Sequence, residues 1–224
     1  MKKLLLLLIL VGFSYNLFGQ QTTLDEFLDS FTNHTNFNGT ILINQDSKTI
    51  YHKSFGLANF EFEVPTNIKT KFKIASITKL FTSVLAMQLV EGGKIELNGK
   101  IKTYLPDYTG EGGEKVIVHQ LLNHTSGLVN IDTISSMESA LTSGIPLYQS
   151  PQSSDQLLSD FCSGNLVNEP RKVFGYNNAD YIVLGKIIEK IYAKTYEQAI
   201  VENILMPIQM KNTGWFIKTI LFKT

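Results

Sequence analysis

From Ile74 to Val90 the chain reads IASITKLFTSVLAMQLV, and Lys79 is the only formal charge in the run. Helix-forming residues dominate from Ser76 to Glu91, and Gly92-Gly93 supplies a C-terminal stop. The apolar residues surround the helix axis instead of forming a stripe, which predicts a helix buried at the centre of its domain. Burying such a helix needs other elements to wrap it. A chain of 224 residues with 43% hydrophobic content can supply them, as one large domain or two small ones.

The N-terminus, MKKLLLLLILVGFSYNLFGQQTT, has the charged, apolar and then polar order of a secretory signal peptide. Its apolar stretch, Leu4 to Phe13, is short for a membrane span. A signal over residues 1–20 is expected, cleaved near Gly19 or Gln20, with export to the periplasm or the exterior and no stable membrane span afterwards. An uncleaved anchor is the alternative. Twenty basic residues balance twenty acidic ones and no tight basic block recurs, which argues against nucleic acid or an anionic surface as partner. Cys162 is the only cysteine, so no intramolecular disulfide can form, and SDFCSGN gives it no basic neighbour. It reads as a structural thiol. The four histidines, His34, His52, His119 and His124, lack carboxylate or cysteine partners at ligand spacing, although His119 and His124 are five apart. No metal or cofactor is expected.

Along the chain, FNGTILINQDSKTIYHKSFGLANF alternates apolar and polar residues on either side of NQDSK, a β-hairpin whose partner strands must come from elsewhere. EVPTNIKTKF, with Pro65, is expected to be a loop. VIVHQLLNHTSGL reads as a short helix ending at a turn. Ile131 to Asp160, with eight serines and two prolines, should be largely loop with short helices. Tyr181, Leu184, Ile187, Ile188 and Ile191 carry helical periodicity, and a second helix is expected near Tyr196 to Leu205. A hairpin followed by a mostly helical remainder is an α+β pattern.

Ser76 and Lys79 are three apart, so one helical face can bring hydroxyl and amine together. Burial would lower the pKa of Lys79 and make it a proton acceptor for the Ser76 hydroxyl, while the helix N-terminus favours a developing alkoxide. The competing reading is structural: Lys79 snorkels from the helix edge and Ser76 is an N-cap. Tyr176-Asn177-Asn178 alone reads as a helix-start turn with Asn177 or Asn178 as cap.

SITK at 76 to 79, LLNHTSGL at 121 to 128, YNN at 176 to 178 and MPIQMKNTGWF at 206 to 216 occur together, in that order. In this the chain resembles the serine β-lactamase and penicillin-binding protein family, closest to its class C β-lactamase, D-alanyl-D-alanine carboxypeptidase and esterase branch, from about Phe37 to Phe216. The resemblance implies a β-lactamase-like α+β fold and an exported serine hydrolase acting on a β-lactam, a D-alanyl or peptidoglycan peptide, or a small ester. It implies that Ser76 is the acylated nucleophile, Lys79 its proton-transfer partner, Tyr176 a proton shuttle beside that cation, and Asn178 the holder of a substrate amide. For His124, a hydrogen-bonded packing role is expected in preference to that of a general base.

The family's third element, lysine or histidine, then threonine or serine, then glycine, is missing. FIKTIL has Ile220 where glycine should follow Lys218-Thr219, and FKT ends the sequence at Thr224. In the family that strand supplies an oxyanion-hole donor, whose loss costs about 10²–10³ in rate. The expectation is a domain over 21–224 incomplete at its C-terminus, with an unpaired sheet edge and an uncovered apolar helix face. The alternative to a hydrolase is a non-catalytic remnant or binding protein of the same family.

Overall fold

The computed structural model describes residues 24–131, 137–144 and 152–214. The expected signal peptide, much of the serine-rich loop and the tail from 217 to 224 lie outside them. Among the described residues the elements are a hairpin region followed by helices, the α+β order expected, and they fall into two compact units dividing between Phe72 and Lys73.

The first unit opens with helix α1 over 24–35, whose apolar spacing Leu24, Phe27, Leu28 and Phe31 is that of one helical face. Strands β1 (Gly39–Gln45) and β2 (Lys48–Phe55) pair antiparallel, with Gly39 opposite Phe55 and Gln45 opposite Lys48. Asp46 and Ser47 join them with φ of +48° and +63°, the left-handed pair whose twist matches a two-residue hairpin. Among the described residues no third strand joins this ladder. The segment around Pro65 differs from the loop expected. Strand β3 (Leu57–Asn59) pairs with β4 (Val64–Pro65) in a second, separate ladder. Proline is tolerated there because a two-stranded ladder has open edges that ask for no N–H.

In the second unit one 3-10 turn, Ala75–Ile77, leads into helix α2 (Thr78–Glu91). Short helices α3 (Ile101–Tyr104), α4 (Val118–Leu122), α5 (Met137–Ser143) and α6 (Ser154–Phe161) follow, then the long α7 (Asn178–Tyr192) and α8 (Tyr196–Ile200), which widens into a π turn over Val201–Leu205. Gly92 and Gly93 end α2 as expected, Gly93 at φ +65°. Capping boxes start α6, through Ser153 and Gln156, and α8, through Thr195 and Gln198.

The central helix is α7, not α2. Val183, Leu184, Ile187 and Ile188 of α7 are completely buried against the α2, α4 and α3 side chains Leu85, Leu121 and Ile101. Helix α2 buries Thr82, Leu85, Ala86 and Leu89, whereas Ile77, Leu80, Val84 and Met87 stay exposed, Leu80 to 63%. Those four positions follow helical spacing, so the all-round apolar run resolves into two stripes on opposite faces. The described elements bury one of them.

Candidate active site

Ser76 lies in the turn before α2, and the residue ahead of it, Ala75, has φ +43°. A left-handed alanine costs about 1–2 kcal/mol, and that strain falls beside the hydroxyl. The α2 N-cap is Ile77, which has no oxygen to offer, so the serine is not the cap. Its Oγ instead accepts a hydrogen bond of 2.7 Å from the phenol of Tyr176.

Lys79, one turn further on, is half-buried and donates to Oδ1 of Asn178. Its Nζ also stands 4.7 Å from the ring centroid of Tyr176 and 5.5 Å from that of Tyr181. Ser76, Lys79, Tyr176 and Asn178 are therefore brought together across about a hundred residues of chain, by the start of α2 and the start of α7. The cap expected within YNN also exists, and it is Asn177: its Oδ1 accepts from the Ala179 N–H at 2.8 Å. Its Nδ2 donates to Leu128 O at 2.7 Å and Val129 O at 3.2 Å. With Asn177 buried and fixed, Tyr176 and Asn178 on either side of it in sequence both reach Lys79.

The NHTSG turn is the clamp behind this arrangement. The backbone N–H groups of Arg171 and Gly175 donate to the carbonyls of Thr125 and His124, both at 2.9 Å, and Val167 N–H donates to Gly127 O at 2.8 Å. Gly127, at φ +76°, must be glycine, because a Cβ there would lie 2.0 Å from the carbonyl oxygen of Asn168. Asp180, completely buried on the first turn of α7, accepts from Ser126 Oγ at 2.5 Å and shares a hydrogen bond of 2.9 Å with His124 Nδ1, which also accepts from the Asn177 N–H at 3.3 Å. Sequence reasoning passed over Asp180, and no local pattern announces it.

Burial pushes the Asp180 carboxyl up to about 7, against the Ser126 hydrogen bond and the Lys79 charge, which both lower it. Burial and the Lys79 charge lower the pKa of His124. The imidazole packs 4.7 Å from the Tyr176 ring and 5.1 Å from the Tyr181 ring. With Nδ1 engaged by Asp180, His124 is placed to orient Tyr176. Cys162 is also buried, and burial raises its thiol to about 12, the environment of a structural cysteine. Among the described residues no group of histidine, cysteine and carboxylate side chains is assembled to hold a metal.

A cleft of about 750 Å³ begins at Ser76, Lys79 and Asn178 and runs along α7 past Ile182. Chemically, the site offers a hydroxyl bonded to a phenol, a cation over the ring of that phenol, a carboxamide and room for a substrate.

A model of the family described as Beta-lactamase matches residues 24–220. Penicillin-binding protein 4* of Bacillus subtilis is 31% identical over 182 residues, covering 79% of this chain and 38% of the relative. Protein flp of Staphylococcus aureus is 29% identical over 178 residues, covering 78% of this chain and 34% of the relative. The chain thus spans little more than a third of the length of these curated relatives. The crystal structure of a penicillin-binding protein from Bacillus halodurans superimposes with a TM-score of 0.72 at 28% identity, over 85% of this chain and 56% of that one.

Proposed function

Because the chain belongs to the Beta-lactamase family, we propose that it is an exported serine hydrolase that forms an acyl-enzyme at Ser76 from a β-lactam, a D-alanyl peptide or a small ester. Residues 1–20 are the signal peptide and 21–224 the hydrolase domain in this reading. The observation that carries it is the 2.7 Å bond between the Ser76 and Tyr176 hydroxyls beneath the Lys79 ammonium.

The proton path follows from those contacts. In this path Tyr176 enters as its phenolate, so the hydrogen bond to Ser76 reverses: Ser76 Oγ attacks the substrate carbonyl carbon while its proton passes to the phenolate oxygen, beside the Lys79 charge. As the tetrahedral intermediate collapses, Tyr176 returns that proton to the leaving nitrogen or oxygen. Water then attacks the ester carbonyl and the same phenol carries the proton back to Ser76. Lys79 acts on Tyr176 electrostatically and donates to the Asn178 carboxamide oxygen, and Asn178 is the residue that would hold a substrate amide in this reading.

The second reading is a non-catalytic remnant or binding protein, and the exposed α2 stripe of Ile77, Leu80, Val84 and Met87 favours it. Intact-mass analysis after incubation with benzylpenicillin or p-nitrophenyl acetate, beside a Ser76→Ala control and a circular-dichroism melt, separates the two. An adduct on the chain that is lost in the control is expected. A cooperatively folded chain that takes up neither acyl group refutes the catalytic reading.

A further inference from the structure

Gly185 sits in the interior of α7, where glycine costs about 1 kcal/mol relative to alanine. Nothing in its packing requires it: a Cβ there would meet a single atom, Cδ2 of Tyr196, at an ordinary 3.7 Å. What the missing side chain does is leave open the cleft that starts at Ser76, because Gly185 lines it one helical layer beyond Ile182. The walls on this route are mainly apolar, with Ile131, Leu157, Tyr181 and Ile182 facing the space. The hydroxyls of Thr82 and Tyr196 bond one another at 2.6 Å and so present no unsatisfied donor to it.

We propose that this cleft is an acyl-chain subsite, holding an extended apolar acyl group whose carbonyl lies at Ser76 and whose tail runs along α7 to Gly185, with Gly185 setting how long that tail can be. The assignment rests on the hydrolase reading and narrows its substrate class. Asn178 and Gly185 are seven residues apart on one helix, roughly 10 Å of rise, which is the reach of a medium-length acyl chain. The far rim selects against a carboxylate at the tip of that chain. Lys186 there is already engaged, by Asp155 at 2.7 Å, Glu189 at 2.9 Å and the Ser154 hydroxyl at 3.3 Å. Glu197 also lines this end, so one cation faces three carboxylates and an anionic tail meets net negative charge.

The test measures acylation of the full chain by p-nitrophenyl acetate, octanoate and the mono-ester of suberic acid, whose tail ends in a carboxylate. Each buried methylene is worth about fourfold in transition-state binding. Octanoate should therefore exceed acetate by at least about tenfold, and the suberate ester should fall well below octanoate. Gly185→Leu should bring the octanoate to acetate ratio close to one. Gly185→Ala, which favours the helix and narrows the cleft by one methyl group, should lower the ratio part of the way. A ratio near one in the parent chain, or one left unchanged by both variants, overturns the subsite while leaving the hydrolase reading intact. Should no ester acylate the folded chain, titration of octanamide onto Ser76→Ala decides the subsite separately. Binding that Gly185→Leu abolishes supports it, and absence of binding overturns it.

Discussion

Replacing Asp180 by asparagine should change how stability depends on pH, in a direction set by where the carboxyl sits. Burial holds it at about 7, against an ordinary 3.8. As pH rises from 3.8, the unfolded chain gives up this proton while the folded chain keeps it until about 7, so the contribution of Asp180 to stability falls across that window and is constant outside it. At about 1.4 kcal/mol per pH unit the fall totals roughly 4 kcal/mol. His124 works in the opposite sense. Its folded pKa lies below the ordinary 6.5, so its contribution is present above that value and is lost as pH drops through it. In the parent chain the two slopes oppose each other over the acid side of neutrality, and Asp180→Asn removes the first and, through the Asp180–His124 contact, also alters the second. Urea unfolding of both proteins, followed by circular dichroism at constant ionic strength from about pH 4 to pH 7, gives two stability curves in whose difference the titrating groups away from Asp180 cancel. The advantage of the parent over the variant should shrink by up to about 4 kcal/mol from the acid to the neutral end. Parallel curves would refute the reasoning, because they would mean that Asp180 ionises alike in the folded and unfolded chains.

Two further outcomes follow from local geometry. Ala193, the C-cap of α7, is left-handed at φ +51°, so Ala193→Gly should stabilise the chain by about 0.5–1 kcal/mol and raise Tm by about 2–3 °C in a thermal melt; a lower Tm would contradict it. Cys162 is 1% exposed with its thiol raised to about 12, so iodoacetamide should label it in urea and leave it unmodified in native buffer; native labelling at the rate of a free thiol would show that the site opens.

What could be read from the sequence was local in its physical cause. The α2 stop at Gly92-Gly93 and the hairpin around Asp46-Ser47 depend on residues a few positions apart, and each formed where expected. The period of Leu184, Ile187 and Ile188 foretold a buried face because a helix repeats with fixed geometry. YNN carried two meanings that the sequence could not separate, a cap and a pair of site residues. The structure divides them, giving the cap to Asn177 and the site contacts to Tyr176 and Asn178.

The amino-acid sequence by itself determined the α+β order and the stop of α2 at Gly92-Gly93, and its resemblance to a known family singled out Ser76, Lys79, Tyr176 and Asn178 as candidates. Tertiary structure alone decided what each of them touches. Lys79 donates to Asn178, 99 positions away, and the Ser76 hydroxyl meets a phenol 100 positions away. Asp180 became the buried hydrogen-bond partner of Ser126 and His124 through contacts spanning 54 and 56 positions. It decided also that α7 and not α2 is central, and that Gly185 borders a cleft. The physical reason is one of range. Propensity, capping and turn chemistry act within a few residues, whereas burial, and the pKa shifts and hydrogen-bond partners that come with it, exist only once distant segments have excluded water from one another.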